Sequence, residues 1–412
     1  MSSSPTNRLH GLDAVRGFAL LLGVFLHAGM SFIPSEFPVW ITHDNNSSAG
    51  FALTFYVPHI FRMLLFFILA GFFARLAWQK RGALGFAFDR FKRVFAPLAA
   101  FWFPSLMLIV TVIIWGAIKA NGGEAPEAPE DPPLTAENFP LTHLWFLYLL
   151  SIFYVGAIIV RLFVGLIDPA GKLRGAAGTL VGFIGRTPFL ALLLAIPATL
   201  AFMNAEMWYS WFGIPTPDTG LFPNAVALTA YGTGFAFGWV LHSQSGMLDS
   251  FRKFWWAYMA VAIALTVACL QMIGLAPSFV PADDSAQSWA YAGAYSLAGW
   301  CFSFAFIGLG LALFANESPA RRYVADASYW IYIWHLPIVM ALQVWLNDVE
   351  MLGVVKYLLI NAITLAVTIG TYHLLVRGTW IGAWLNGRRY GKKAEARAAA
   401  KAAKLEAASA NA

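Results

Sequence analysis

The chain of 412 residues reads as an all-α, polytopic membrane helix bundle of about ten transmembrane helices with both termini cytoplasmic. Composition is the first ground: 59% of residues are hydrophobic, 12% are charged and the mean hydropathy is +0.64, too apolar for a soluble globule of this length. The second is the recurrence of apolar stretches of spanning length. They fall at 12–34, 57–78, 94–118, 142–166, 180–202, 222–243, 254–274, 290–314, 327–346 and 353–376. The third is the charge of the loops between them, which alternates in sign and fixes an orientation.

The loop after 57–78 carries Lys80, Arg81, Arg90, Lys92 and Arg93, and that after 142–166 carries Lys172 and Arg174. Arg252 and Lys253 follow 222–243, and Arg321 and Arg322 follow 290–314. These basic loops are expected on the cytoplasmic side. The alternate loops hold Glu36, Asp44, Glu124, Glu127, Glu130, Asp131, Glu137, Glu206, Asp218, Asp283, Asp284, Asp348 and Glu350, with Lys119 and Lys356 only at span edges. The first apolar run lacks a small-x-small cleavage site followed by a soluble domain, so it is expected to remain as an anchor.

Residues 1–385 form one membrane domain in this reading, and 386–412 a basic cytoplasmic tail rich in Ala and Lys. The net charge of +6 comes from the inner loops and this tail, which suits anionic membrane lipid and not nucleic acid. Residues 119–141 form a Pro- and Glu-rich connector. Cys269 and Cys301 lie inside spans, with no spacing that suggests a disulfide or a metal site. No internal repeat is visible.

An ionisable side chain inside a span is costly enough to mark function, and the first span has two, Arg16 and His27. At 1.5 Å per residue they stand roughly 16 Å apart along the helix, the cation near one face and the imidazole well inside. Arg90 and Arg93, three apart at the cytoplasmic entrance to the third span, suit a phosphate or diphosphate, although the positive-inside rule alone would also account for them. Arg62, five residues into the second span from the outer side, reaches about the depth of His27. His59 and His143 enter from the same side, so the outer half gathers three histidines and an arginine. Asp13 is placed to pair with Arg16, and His335 is a polar packing element that could also line a site. His373 reads as structural, and the segment MWYSWF at 207–212 either stacks on sugar rings or anchors at the membrane interface.

The chain resembles the acyltransferase-3 superfamily of integral membrane acyltransferases. Its Arg, ten residues, His pattern is matched by Arg16 and His27, and its Arg-x-x-Arg pair by Arg90 and Arg93. LLFFILAGFFA at 64–74, HLWFL at 143–147, which includes Trp145, and SYWIYIWHLPI at 328–338 look like family blocks in the expected order. PHIFRMLLFFILAGFF and THLWFL are most similar to the branch that succinylates osmoregulated periplasmic glucans. The family's usual Ser in the second span is Ala70 here.

The resemblance implies a bacterial inner-membrane enzyme with no permanently bound cofactor and no metal. An acyl-CoA, succinyl-CoA or acetyl-CoA, would bind from the cytoplasm with its phosphates at Arg90, Arg93 and Arg16. Its thioester would reach His27, the general base for the hydroxyl of a periplasmic glucan or other envelope glycan; an acyl-histidine route stays open. Arg62, His59, His143, Trp145 and His335 would contact substrate, and Arg62 is suited to the carboxylate of a succinyl group. The competing readings are acetyl transfer to another glycan, a glycan or lipid transporter, which would be expected to show paired halves with interrupted spans, and a sensor or scaffold.

Overall fold

A computed structural model describes residues 5–35, 40–125, 133–187 and 189–387. Glu36, Glu127, Glu130, Asp131 and the tail from 388 onward lie outside the described residues. Among the described residues the chain is all helix with no strand; one isolated bridge joins Pro140 and Thr219.

The helices are α1 (Pro5–Gly29), α2 (Ala49–Arg90), α3 (Ala96–Ala120), α4 (Trp145–Ile167), α5 (Lys172–Ile184), α6 (Phe189–Met203), α7 (Ala225–Ser243), α8 (Gly246–Ile273), α9 (Ala286–Leu313), α10 (Pro319–Leu346), α11 (Gly353–Thr371) and α12 (Trp380–Asn386). Among the described residues, seven helical segments are long and apolar enough to cross a membrane, and an eighth is added if α5 and α6 are one broken span. The chain is thus a multi-pass membrane protein.

One of the seven is the 72-residue run Ala49–Ala120. Unbroken, it would be roughly 108 Å long against a hydrocarbon core of about 30 Å. Gly82, at φ 67°, breaks it: that backbone conformation costs a glycine least. The contacts run in opposite senses on the two sides of the break. Along α2, Thr54 meets Gly29 and Phe73 meets Arg16, so α2 is antiparallel to α1. Along α3, Phe101 packs on Trp330 and Trp334, and Lys119 Nζ donates to the Val344 carbonyl at 2.7 Å, so α3 runs alongside α10 in the same direction.

The stretch 180–202 is two helices, not one. The sequence between them is Gly185-Arg186-Thr187-Pro188, and a proline restricts the residue before it to non-helical backbone. Lys356 lies at the span edge, in the first turn of α11, and is buried there at 1% exposure.

Small residues set how closely the bundle packs. A Cβ on Gly71 would collide with the Phe235 carbonyl of α7, and one on Gly238 with the Ile68 carbonyl of α2, so these backbones touch. On the outside, α4 presents Val155, Ile159, Val160, Leu162, Phe163 and Leu166 as exposed apolar side chains, as a lipid-facing surface requires.

Candidate active site

A cavity of about 1070 Å³ runs through the bundle among α1, α2, α3, α4 and α10. At one end it is lined by Arg16, Lys80, Arg81, Asp89, Arg90 and Arg93, and at the other by His27, His59, Arg62, His143, Trp40 and His335. Leu20, Phe66, Leu69, Ala70, Phe73 and Leu150 line the apolar stretch between.

The basic end is organised by one carboxylate. Asp89, 4% exposed, pairs with Arg81 (Nη1 to Oδ1, 3.1 Å), with Arg93 (Nε to Oδ1, 3.0 Å) and with Arg90 through Oδ2. Arg90 ends α2, and the π-helical turn Phe91–Phe95 carries Arg93 toward α3; such turns insert a residue and re-aim side chains. The Arg90 guanidinium also lies over the Tyr154 ring, 5.4 Å from its centroid. Arg16 faces the same space from α1, held by Asp13 at 3.2 Å, the pair expected from their spacing. Three guanidinium groups share a single acid, so the pocket keeps a surplus of positive charge and fork-shaped donors suited to phosphate oxygens.

The other end gathers imidazoles from three helices or their flanks. The His27 ring lies 5.4 Å from that of His335, and His335 lies 5.5 Å from His143, centroid to centroid. His335 Nδ1 donates to the Tyr332 carbonyl at 2.8 Å, which leaves Nε2 as a bare lone pair; it is buried and unpartnered. His143 does the reverse, with Nε2 donating to the Ile333 carbonyl at 3.0 Å and Nδ1 unpartnered. His27 Nδ1 has no partner. Imidazoles with lone pairs directed into an enclosed space can accept a proton from a hydroxyl.

Trp40 stacks on His27 at 5.8 Å with the planes 19° apart. Arg62 reaches the cluster from α2, and its guanidinium lies on the backbone of Gly23, one helical turn before His27. His59 sits farther toward the mouth, stacked on Phe55 at 4.8 Å, its Nε2 3.2 Å from the Ile214 carbonyl.

The cavity therefore brings together Arg16, Arg90 and Arg93 at one end, and His27, Arg62, His143 and His335 at the other. Trp145 lines it, but is 7% exposed with its ring stacked on Tyr231 at 5.7 Å. In MWYSWF, Trp208 and Trp211 are each 2% exposed and pack in the core, so neither indole is open to a sugar. His373 pairs with the Tyr323 hydroxyl, 3.2 Å away, and does not line the cavity. Sequence reasoning missed Arg81, Asp89, Gly23, Trp40 and Gln343. An acid inside the basic run DRFKR and a lone glycine in LLLGVFLH were the available signals. Among the described residues, no group of His, Cys, Asp or Glu is arranged to hold a metal ion.

A family model described as an acyltransferase domain matches residues 9–373. The chain is 27% identical over 155 residues to the glucans biosynthesis protein C of Salmonella paratyphi B, and likewise 27% to that of Salmonella dublin. The corresponding protein of Salmonella heidelberg is 26% identical over 155 residues. In each case the match covers 37% of this chain and 38% of the relative, so the chain spans well under half the length of the relatives it matches. No solved structure matches. The family model covers nearly the whole chain, both ends of the cavity included, and the chain belongs to the acyltransferase-3 family of integral membrane acyltransferases.

Proposed function

We propose that this protein is a bacterial inner-membrane O-acyltransferase that moves a succinyl group from cytoplasmic succinyl-CoA to a hydroxyl of a periplasmic glucan. The observation that carries the reading is a cavity joining a guanidinium cluster to four imidazoles through an apolar passage. A CoA thioester has this polarity: a polyanionic head, a slender arm and a reactive carbonyl at the tip.

In this reading the helices make ten crossings and both termini are cytoplasmic. Arg90, Arg93 and Arg16 hold the donor phosphates. The arm passes Leu69 and Phe73, and the thioester carbonyl lies beside His27. The acceptor hydroxyl enters past Trp40, and His27 takes its proton as the oxygen attacks the carbonyl carbon. The C–S bond then breaks, the ester remains on the sugar, and the CoA thiolate recovers the proton from the imidazolium. His143, His335 and His59 contact the reacting groups and the acceptor. The weak similarity to glucans biosynthesis protein C supports a glucan acceptor.

The test uses the full chain in lipid nanodiscs with succinyl-CoA and periplasmic glucan. Free CoA thiol is followed by colour and the glucan by mass spectrometry. A succinyl mass increment that depends on His27 is expected; CoA release without any gain in glucan mass, or no release at all, would overturn the assignment.

A further inference from the structure

Arg62 is the one ion in the imidazole cluster whose charge nothing nearby balances. Among the described residues no ion pair involves it, and its Nε is buried without a partner. Its neighbours His27, His335, His143 and Tyr231 are not carboxylates, and the Tyr332 hydroxyl is committed to the His143 carbonyl at 2.7 Å. Charged groups inside spans pair with one another or mark the path of a ligand, and among the described residues this one has no acidic partner.

Its seat is made for it. A Cβ on Gly23 would collide with the guanidinium, so α1 leaves out a side chain where the fork lies. His335 Nε2 is 4.0 Å from that same missing Cβ, which places Arg62, His335 and the α1 backbone around one point, a turn from His27. The guanidinium faces the cavity.

We propose that Arg62, seated on Gly23 beside His335 and one helical turn from His27, is the binding site for a second carboxylate carried on the acyl group of the donor. The proposal rests on the acyl transfer proposed above and adds the residues that set its donor selectivity: Arg62 on Gly23 admits a dicarboxylic monoacyl thioester and disfavours one that ends in a methyl group. A planar fork can grip a carboxylate through two parallel hydrogen bonds, and in a water-poor cavity such a contact discriminates strongly. Gly23 is then a specificity residue, because the guanidinium reaches this position only where α1 is bare.

Succinyl-CoA and butyryl-CoA have acyl chains of equal length and differ in the terminal carboxylate, so they form the test pair. Their affinities are measured by titration on full-length His27→Ala protein in nanodiscs, which prevents turnover, alone and combined with Arg62→Gln, Arg62→Lys or Gly23→Ala. The expected preference for succinyl-CoA is about ten- to hundredfold. It should fall to near parity in the Arg62→Gln and Gly23→Ala proteins with butyryl-CoA affinity kept, and Arg62→Lys should keep part of it. Equal affinity for the two thioesters, or a preference that survives both Gln and Ala substitutions, overturns the proposal and leaves acyl transfer standing. Failure to bind either thioester would instead count against CoA as donor. Should Arg62→Gln fail to fold, Gly23→Ala with the guanidinium intact decides alone. A preference that depends on Arg62 only when glucan is present would assign the guanidinium to an anionic group of the acceptor, and would likewise overturn the proposal.

Discussion

The side chain of Gln343 ties α10 to α1 at His27: its Nε2 donates to the His27 carbonyl at 2.9 Å. The same amide accepts from Trp40 Nε1 at 2.7 Å through Oε1. One buried residue thus fixes both the helix that carries the proposed base and the indole stacked on its ring. Gln343→Ala would leave a buried carbonyl and an indole N–H unpartnered, each worth about 1–3 kcal/mol. We expect a fall in kcat of roughly ten- to hundredfold with little change in donor affinity, since the basic end is untouched. A change in donor affinity alone, with kcat kept, would deny Gln343 this positioning role.

His27→Ala is expected to abolish succinyl transfer while the protein remains folded and inserted. A general base contributes about 10²- to 10⁴-fold to rate and little to packing. Initial-rate measurements with matched size-exclusion profiles check this; transfer near the wild-type rate would remove His27 from its role.

Much of this site was legible because charge is conspicuous in an apolar sequence. Arg16, His27, Arg62, Arg90 and Arg93 stand out within runs of Leu, Phe and Ala, and all five line the cavity. What escaped depends on which faces of distant helices meet. Gln343 reaches His27 across 316 residues of chain, and nothing in ALQVWL distinguishes it from a satisfied core amide. Gly23 reads as one small residue among large ones until Arg62 is seen lying on it. The helices themselves follow from hydropathy, but hydropathy averages over 180–202 and hides the break between Ile184 and Phe189.

The guanidinium cluster yields a graded prediction. Arg90 and Arg93 have side chains 20% and 30% exposed, and losing either to Ala should cost about 1.5–3 kcal/mol of donor binding, roughly ten- to hundredfold in affinity. Arg81 is 50% exposed and solvent screens it, so Arg81→Ala should cost less, about 0.2–1 kcal/mol. Titration with CoA checks the order. Unchanged affinity in the Arg90→Ala, Arg93→Ala double variant would reduce the pair to a topology signal.

The packing of α2 on α7 is expected to be intolerant of a single methyl group. Gly71→Ala would press a Cβ into the Phe235 carbonyl, where no flexible side chain can give way. Overpacking of this kind costs about 1–3 kcal/mol. Thermal unfolding in detergent should show a lowered midpoint, with Gly293→Ala, where a Cβ meets nothing within 4 Å, as the neutral control.

The segment that carries Trp40 is pinned from its far end. Lys356 Nζ reaches Asp44 Oδ2 at 2.6 Å and the Asn347 carbonyl at 3.1 Å, with the two charged side chains 1% and 4% exposed. Asp44 in turn donates its amide to the Ser31 carbonyl at 2.9 Å and accepts from the Asn46 amide at 2.9 Å, so the pair joins the end of α1, the following loop and α11. A buried pair holds its charges at a desolvation cost, and removing one partner strands the other. Lys356→Met should therefore destabilise by about 3–5 kcal/mol, whereas Lys356→Met with Asp44→Asn should recover most of that loss. Because Trp40 lies four residues from Asp44, the single variant should also lose activity through a displaced indole, and the double variant should regain stability ahead of activity. Unfolding midpoints and initial rates on the same preparations check both parts; a double variant no more stable than Lys356→Met would show that Lys356 acts through its backbone acceptor and not through Asp44.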